Sequence, residues 1–260
     1  MSPTAQTALV TGASSGIGEQ FSLQLAARGM NLVLAARSEE RMQALAAQLR
    51  ARHGVDVDVV GVDLAVPEGA RELADRLATD GTRIDVLVNN AGFGSHNLFV
   101  DEDPDNLARE IQLNCSSLVT LTSRLLPVMV ERGRGGVLNV ASTAGFQPIP
   151  TMAVYAATKA FVLSFTEALW AETRKTGVRV VALCPGPTET AFFDATGKDF
   201  MTSGRQTAEE VAAVGVRAFF TGRGPTVIPG TLNRLMAAGT SLAPRSVIAR
   251  IAELRVRPTG

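Results

Sequence analysis

Seven short, β-branched, apolar runs alternate with longer stretches of helical periodicity along the whole chain, and this alternation restricts the fold more than any other feature. The runs fall at 8–11, 31–35, 56–62, 86–89, 137–141, 178–183 and 226–228. Several are apolar without alternation, which is the pattern of strands buried on both faces. Between them, residues 39–52 place Met42, Leu45, Ala46 and Leu49 on one helical face, and 105–132 and 153–175 read as long helices. Repeated strand–helix–strand units imply a single doubly wound α/β domain over 1–260, with a mostly parallel seven-stranded sheet and helices on both faces. No low-complexity linker, short repeat or break in composition divides the chain.

Composition removes several classes of function. Hydrophobic residues make up 46% of the chain and charged ones 19%, enough apolar surface to offset the entropy of ordering. Lys plus Arg number 25 against 25 Asp plus Glu, so no net field gathers nucleic acid or an anionic membrane. Cys115 and Cys184 have no second Cys or His at ligand spacing, so neither a disulfide framework nor a metal site is expected, and a cytoplasmic location fits. The N-terminal segment lacks the pattern of a signal peptide and reads as the first strand. Residues 135–158 carry no formal charge, but Asn139, Gln147, Pro148 and Pro150 interrupt the run, so it is not read as a membrane span.

The first strand runs into Thr11-Gly12-Ala13-Ser14-Ser15-Gly16-Ile17-Gly18, and a helical pattern with Phe21, Leu25 and Ala26 follows. In that context Gly12 takes a tight turn, Gly16 lets backbone N–H groups approach a pyrophosphate, and Gly18 allows close helix–sheet packing. The turn, including Ser14, Ser15 and Ile17, is therefore expected to bind a dinucleotide at the helix N-terminus. After the second strand, a cofactor with a free ribose 2′-hydroxyl calls for an acidic acceptor, whereas this chain has Ala36-Arg37. A guanidinium offers several donors and a permanent charge to a 2′-phosphate, which favours NADP(H).

Tyr155 and Lys159 lie four residues apart in an expected helix, so their side chains share a face, and Tyr155 is the only tyrosine in the chain. An ammonium beside a phenol favours the phenolate and is expected to lower its pKa towards neutrality. The fifth strand ends in Asn139-Val140-Ala141-Ser142, which places a hydroxyl at the carboxyl edge of the sheet, where open α/β folds bind ligands.

Together, Thr11-Gly12-x-x-x-Gly16-x-Gly18, Asn89-Asn90-Ala91-Gly92, Asn114, Ser142, Tyr155-x-x-x-Lys159 and Pro185-Gly186 closely resemble the classical short-chain dehydrogenases/reductases, with a Rossmann-type fold. The resemblance spans residues 5–190 by motif. It implies that Tyr155 is the general acid of carbonyl reduction, Lys159 lowers its pKa and holds the nicotinamide ribose, Ser142 binds and polarises the carbonyl, and Asn114 anchors a relay water. It also implies that Asp63 and Leu64 border the adenine, Asn90, Ala91 and Gly92 line the cofactor cleft, and Pro185, Gly186, Thr188 and Thr190 border the nicotinamide. Residues 1–92 would then form mainly the cofactor half, 93–205 the catalytic and substrate-loop region, and 206–260 the C-terminal helices and last strand. Asn114, Ser142 and Asp63 each have a local alternative, as backbone-bonded or capping residues. One departure stands out: relatives that prefer NADP often have a basic residue before the middle glycine, and this chain has Ser15.

The candidate substrate wall is Phe93 with Gly94, Ser95 and His96, then Ser142, Gln147, Met152, Tyr155, Phe192 and Phe193, with 192–205 as an irregular covering segment. Its apolar character suits a hydrophobic ketone or aldehyde, and no basic cluster is present to meet a dianion. The long helices resemble those through which the family forms homodimers and homotetramers. The tail 232–255 reads as helical with a break near Pro244; it is expected to pack on the body, with contact to a membrane surface as the lesser reading. Two other functions share the motifs: a non-catalytic NADP(H)-binding redox sensor or scaffold, and a sugar-nucleotide epimerase or dehydratase. Retention of all four catalytic positions counts against the first, and the glycine spacing, short chain and apolar wall against the second.

Overall fold

The computed structural model describes residues 5–190, 192, 205–222, 224–240 and 244–256. The elements run β1 (Thr7–Thr11), α1 (Gly16–Ala26), β2 (Asn31–Ala36), α2 (Glu39–His53), β3 (Val57–Gly61), α3 (Gly69–Thr79) and β4 (Val86–Asn89) in the first half. They continue with α4 (Pro104–Ile111), α5 (Leu118–Glu131), β5 (Gly136–Val140), α6 (Ala153–Thr173), β6 (Arg179–Leu183), β7 (Thr188–Glu189) and β8 (Gln206–Thr207). The chain then forms α7 (Ala208–Thr221), β9 (Thr226–Val227), α8 (Thr231–Gly239) and α9 (Arg245–Val256).

Seven strands form one sheet in the order β3-β2-β1-β4-β5-β6-β9, and every pairing in it is parallel. This is the doubly wound, Rossmann-like sheet expected from the sequence. Strand residues are buried on both faces because helices cover both: one apolar cluster joins Ala8, Val10, Leu32, Leu34 and Phe21 of α1, and another joins Leu9, Val33, Leu87, Leu121 and Met129. Full burial of one such side chain, Phe21 for example, contributes about 1.5–3 kcal/mol. The order reverses between β1 and β4, and a crevice at the carboxyl ends follows from that reversal.

The joint at the reversal is held by Thr11. Its hydroxyl donates to the Val88 carbonyl at 3.3 Å and accepts the N–H groups of Asn90 and Ala91, both at 3.0 Å. Asn90 Nδ2 donates back to the Thr11 carbonyl at 2.9 Å. Deeper in the sheet, Asn89 and Asn139 face each other in register on β4 and β5, and Asn89 Nδ2 donates to Asn139 Oδ1 at 2.9 Å. Asn89 Nδ2 also reaches Thr122 of α5, and Asn139 Nδ2 donates to Thr166 of α6, so a buried amide pair stitches the sheet to both helices.

The stretch expected as one helix over 105–132 is instead two, joined by a wide π turn at Gln112–Ser117. The extra residue aims the Asn114 side chain inward to bond backbone groups of the segment after β4, and such turns commonly mark functional sites. By length and composition the combined stretch Pro104–Glu131 is long and apolar enough to cross a membrane. Here its Leu118, Leu121, Leu126 and Met129 are buried in the body of the protein. The tail forms two helices, as expected; Ala237, Ile248 and Ala252 pack inward while Leu232, Leu235, Val247 and Ile251 stay exposed. The two-residue parallel pair β7–β8 was not legible in the sequence.

Removing one amide of the buried pair leaves the other short of partners, which costs about 1–3 kcal/mol. We therefore expect Asn139→Leu to lower the unfolding free energy by about that amount, read from the urea midpoint at unchanged m-value.

Candidate active site

The glycine turn has the shape of an anion cradle. Gly12 and Gly16 both have positive φ, 65° and 57°, and the Gly12 N–H donates to the Ala35 carbonyl at 2.8 Å. At Gly18 a Cβ would lie 2.2 Å from the Gly12 carbonyl oxygen, so only glycine permits α1 to start this close to β1. Ser15 caps α1 without a side-chain bond to its backbone, which leaves the first N–H groups of the helix, including Ile17, available to a phosphate. Thr190 lies over the turn: a Cβ at Gly16 would meet its methyl at 3.0 Å. Ser14 sits in the same turn.

At the neighbouring end of the sheet, Arg37 is exposed just beyond β2. Asp63 Oδ1 accepts the Ala65 N–H at 2.9 Å in a local turn rather than capping the next helix, α3, whose N-cap is Glu68, and Oδ2 pairs with Arg109 of α4 at 3.0 Å. Partial burial works against its charge, but the Ala65 N–H and the Arg109 guanidinium, with Arg37 adding its field, hold the Asp63 carboxyl below the usual range. Arg37 thus faces the same patch as Asp63, and Arg109 is a cation there that sequence reasoning missed. Leu64 is buried beneath; its carbonyl accepts the Ser117 hydroxyl, so the π turn is tied to this edge as well.

The four catalytic candidates converge at the carboxyl edge of β4 and β5. Lys159 is 5% exposed, and its Nζ donates to the Val140 carbonyl at 2.9 Å and lies 5.7 Å from the centre of the Tyr155 ring. Ser142 opens a short 3₁₀ turn, Thr143–Phe146; its Oγ accepts the Ala144 N–H at 3.1 Å and donates to the Pro185 carbonyl at 3.5 Å. Asn114 is buried: Oδ1 accepts the Phe93 N–H at 3.2 Å, and Nδ2 donates to the Phe93 carbonyl at 2.9 Å and to Thr158 Oγ1 at 3.0 Å. Gly92 lies against both, since a Cβ there would sit 3.0 Å from Asn114 Oδ1 and 3.4 Å from Lys159 Nζ.

The charge states differ from expectation. Burial pushes the Tyr155 phenol up to about 12; the Ser142 hydrogen bond opposes this and the charge of Glu110 adds to it. Burial pushes the Lys159 ammonium down to about 8. The expected lowering of the phenol is therefore corrected: desolvation outweighs the nearby cation, which is itself desolvated and spends a donor on Val140.

The wall residues assemble in part. Phe192 packs on Tyr155, ring centres 5.1 Å apart and tilted by 48°. Gly94 lies under both, for a Cβ would be 2.6 Å from Tyr155 Cδ2 and 3.1 Å from Phe192 Cζ. Met152 is buried at the start of α6, and Phe93 and Gln147 are half-buried. His96 is buried rather than an exposed loop residue; its Nε2 lies 3.1 Å from Thr151 Oγ1. Phe193 and the rest of 193–204 lie outside the described residues. Pro185 receives the Thr143 N–H at 2.8 Å, the Thr188 hydroxyl donates to the Gly186 carbonyl at 2.9 Å, and Gly186 lies against Asn233 of α8. Asn233, Thr158 and Glu110 were not anticipated. A charged residue one turn before Asn114 was the available signal for Glu110.

Fold and site together define a doubly wound dinucleotide-binding protein with a Ser-Tyr-Lys cluster. The short chain dehydrogenase family model matches residues 6–200, and the chain belongs to that family. It is 36% identical over 184 residues to the very-long-chain 3-oxoacyl-CoA reductase of Anas platyrhynchos, a match covering 68% of this chain and 58% of that protein. The chain thus spans little more than half the length of such curated reductases. A short-chain dehydrogenase from Sphingobium yanoikuyae in complex with NADPH superposes with a TM-score of 0.83 at 35% identity, covering 91% of this chain and 94% of that one. The bulky-bulky ketone specific alcohol dehydrogenase from Comamonas testosteroni does so at 0.79 and 32% identity, covering 92% and 94%. A Burkholderia phymatum member of the family in complex with NAD superposes at 0.80 and 26% identity, covering 90% and 92%.

Gly18 tests the cradle directly. Gly18→Ala is expected to weaken nicotinamide-dinucleotide binding by about tenfold or more, because α1 must back away from β1. Fluorescence titration with NADPH reads this.

Proposed function

We propose that the chain is an NADP(H)-dependent oxidoreductase interconverting an apolar ketone or aldehyde with its alcohol, with Tyr155 as the general acid and base. The observation that carries this reading is the convergence of Ser142, Tyr155 and the buried Lys159 at the carboxyl edge of β5, with Lys159 Nζ bonded to the Val140 carbonyl and 5.7 Å from the centre of the Tyr155 ring. The glycine cradle fits a dinucleotide pyrophosphate, and Gly92, Pro185, Gly186, Thr188 and Thr190 border the way from it to Tyr155. When bound, the cofactor supplies hydride to the carbonyl carbon.

The chain's own residues handle the proton. A phenol held near 12 is protonated at neutral pH, so Tyr155 stands ready to donate to the alkoxide that reduction creates. Ser142 hydrogen-bonds the carbonyl oxygen and stabilises its developing charge. Lys159, fixed by Val140, presents its remaining N–H donors to the ribose and its charge to the phenolate left behind. Asn114 bonds Phe93 and Thr158, which fixes the 92–93 segment beside Lys159, and the second lone pair of its Oδ1 supports the relay-water role.

Arg37 supports NADP(H), since it lies where an acid would otherwise select the free 2′-hydroxyl and its field reaches Asp63. The packing of Phe192 on Tyr155 and the buried Met152 support an apolar substrate, in keeping with the bulky-ketone relative. Val128 on α5 and Phe161 on α6, each nearly half exposed, provide apolar surface for the expected homo-oligomer.

Tyr155→Phe keeps the ring packing and removes the proton, so carbonyl-dependent NADPH oxidation should fall by about a hundredfold or more with little change in cofactor affinity. Near-normal turnover would remove Tyr155 from the acid role. Arg37→Glu should cut the preference for NADPH over NADH by about tenfold or more, the worth of a charge-assisted hydrogen bond. Paired binding titrations measure it, and an unchanged ratio would overturn the NADP(H) assignment.

A further inference from the structure

Of the residues of α4, Glu110 alone is buried, and it is fully so, at 0% exposure. A carboxylate in that position carries a desolvation cost that an apolar residue would avoid. Its Oε2 accepts both the N–H and the hydroxyl of Ser95, each at 3.3 Å, while Oε1 has no hydrogen-bond partner. One turn on, Asn114 accepts the N–H of Phe93. The two side chains therefore hold alternate N–H groups of the strand-like segment 92–95 from one side. On the other side Gly94 is pressed against the Tyr155 ring. Glu110 thus reaches Tyr155 through one thin layer of backbone.

It also reaches the same centre by charge. Lys159 and Tyr155 of α6, Cys115 of the π turn and Glu102 of the segment before α4 all interact electrostatically with Glu110 or feel its charge. The buried His96, next to Ser95, is engaged with Thr151. Lys159 is the one cation in this group, and each of the two, Glu110 and Lys159, favours the charged form of the other.

We propose that Glu110 is a positioning residue for the reaction, clamping segment 92–95 against Tyr155 and supplying the buried negative charge that keeps Lys159 protonated. The proposal rests on the reductase reading above. Burial, opposed by the two Ser95 hydrogen bonds, pushes the Glu110 carboxyl from 4.5 up to about 7, so both of its states are populated near neutrality. Above about 7 it is charged, and there it opposes the burial that pulls the Lys159 ammonium down to about 8.

The test compares wild type with Glu110→Gln, which keeps volume and an acceptor for Ser95, and with Glu110→Met, which keeps neither charge nor acceptor. In wild type, kcat for carbonyl reduction should fall as pH rises through about 8, where Lys159 loses its proton. In Glu110→Gln that limb should move to lower pH, because the counter-charge is gone, with KM for the carbonyl nearly unchanged. Glu110→Met should raise KM as well, because the clamp is lost. An alkaline limb at the same pH in Glu110→Gln would overturn the proposal.

A second arm needs no turnover. A carboxyl whose folded pKa lies above its unfolded one gives stability that is lost as pH rises, here between 4.5 and about 7. The fall in unfolding midpoint across that window should be shallower in Glu110→Gln; an identical slope overturns the proposal. If wild type reduced no carbonyl at any pH, the reductase reading would fail, and this arm would still decide whether Glu110 carries the titrating charge.

Discussion

An ammonium taken out of water has to be met by oxygen atoms and by opposite charge, and the buried Lys159 imposes that demand on everything around it. The Val140 carbonyl at the end of β5 meets part of it. For that carbonyl to be within reach, α6 must cross the carboxyl edge of the sheet, which the short turn after Ser142 allows by bringing the chain straight back over β5. Gly92 clears space for Nζ on the opposite side. The placement of Tyr155, one turn earlier on the same helix, follows from the anchoring of Lys159.

The second organising contact is the Thr11 joint. The sheet order reverses between β1 and β4, so the two chains leaving those strands diverge, and their backbone groups would be left open at a buried seam. A single hydroxyl with three bonds and one amide close it. The cradle around Gly12 and the segment around Gly92 are thereby held in one piece. A dinucleotide lying across the reversal would touch both sides of a joint that does not need the ligand to close it.

How much of this could be read beforehand depended on whether the cause was local. Strands buried on both faces show as unbroken apolar runs, so all seven members of the main sheet were legible, with ends differing by a residue or so. The glycine turn and the Tyr155–Lys159 spacing were legible because each meaning is contained in a few consecutive residues. The break in 105–132 was not, because the π turn aims Asn114 at a backbone segment 21 residues away in sequence. The Asn89–Asn139 pair was visible only as two motif residues, since their contact depends on strand register. The direction of the Tyr155 shift was misjudged because spacing reveals a neighbouring charge but not the burial that outweighs it. Glu110 was hidden for the same reason: a charged residue in a mostly exposed helix looks like part of a solvated face until the segment after β4 is laid over it.

The π turn also bears on which changes of chain length this fold can accept. A π turn holds one residue more than a regular turn and absorbs it locally, so deleting one residue from Gln112–Ser117 would restore regular winding with α4 and α5 still in phase. Asn114 would then lose its inward aim at Phe93, while Arg109 and Glu110 kept their places against Asp63 and Ser95. A single-codon loss in the wide turn would thus release one of the two holds on the segment after β4 and spare the other.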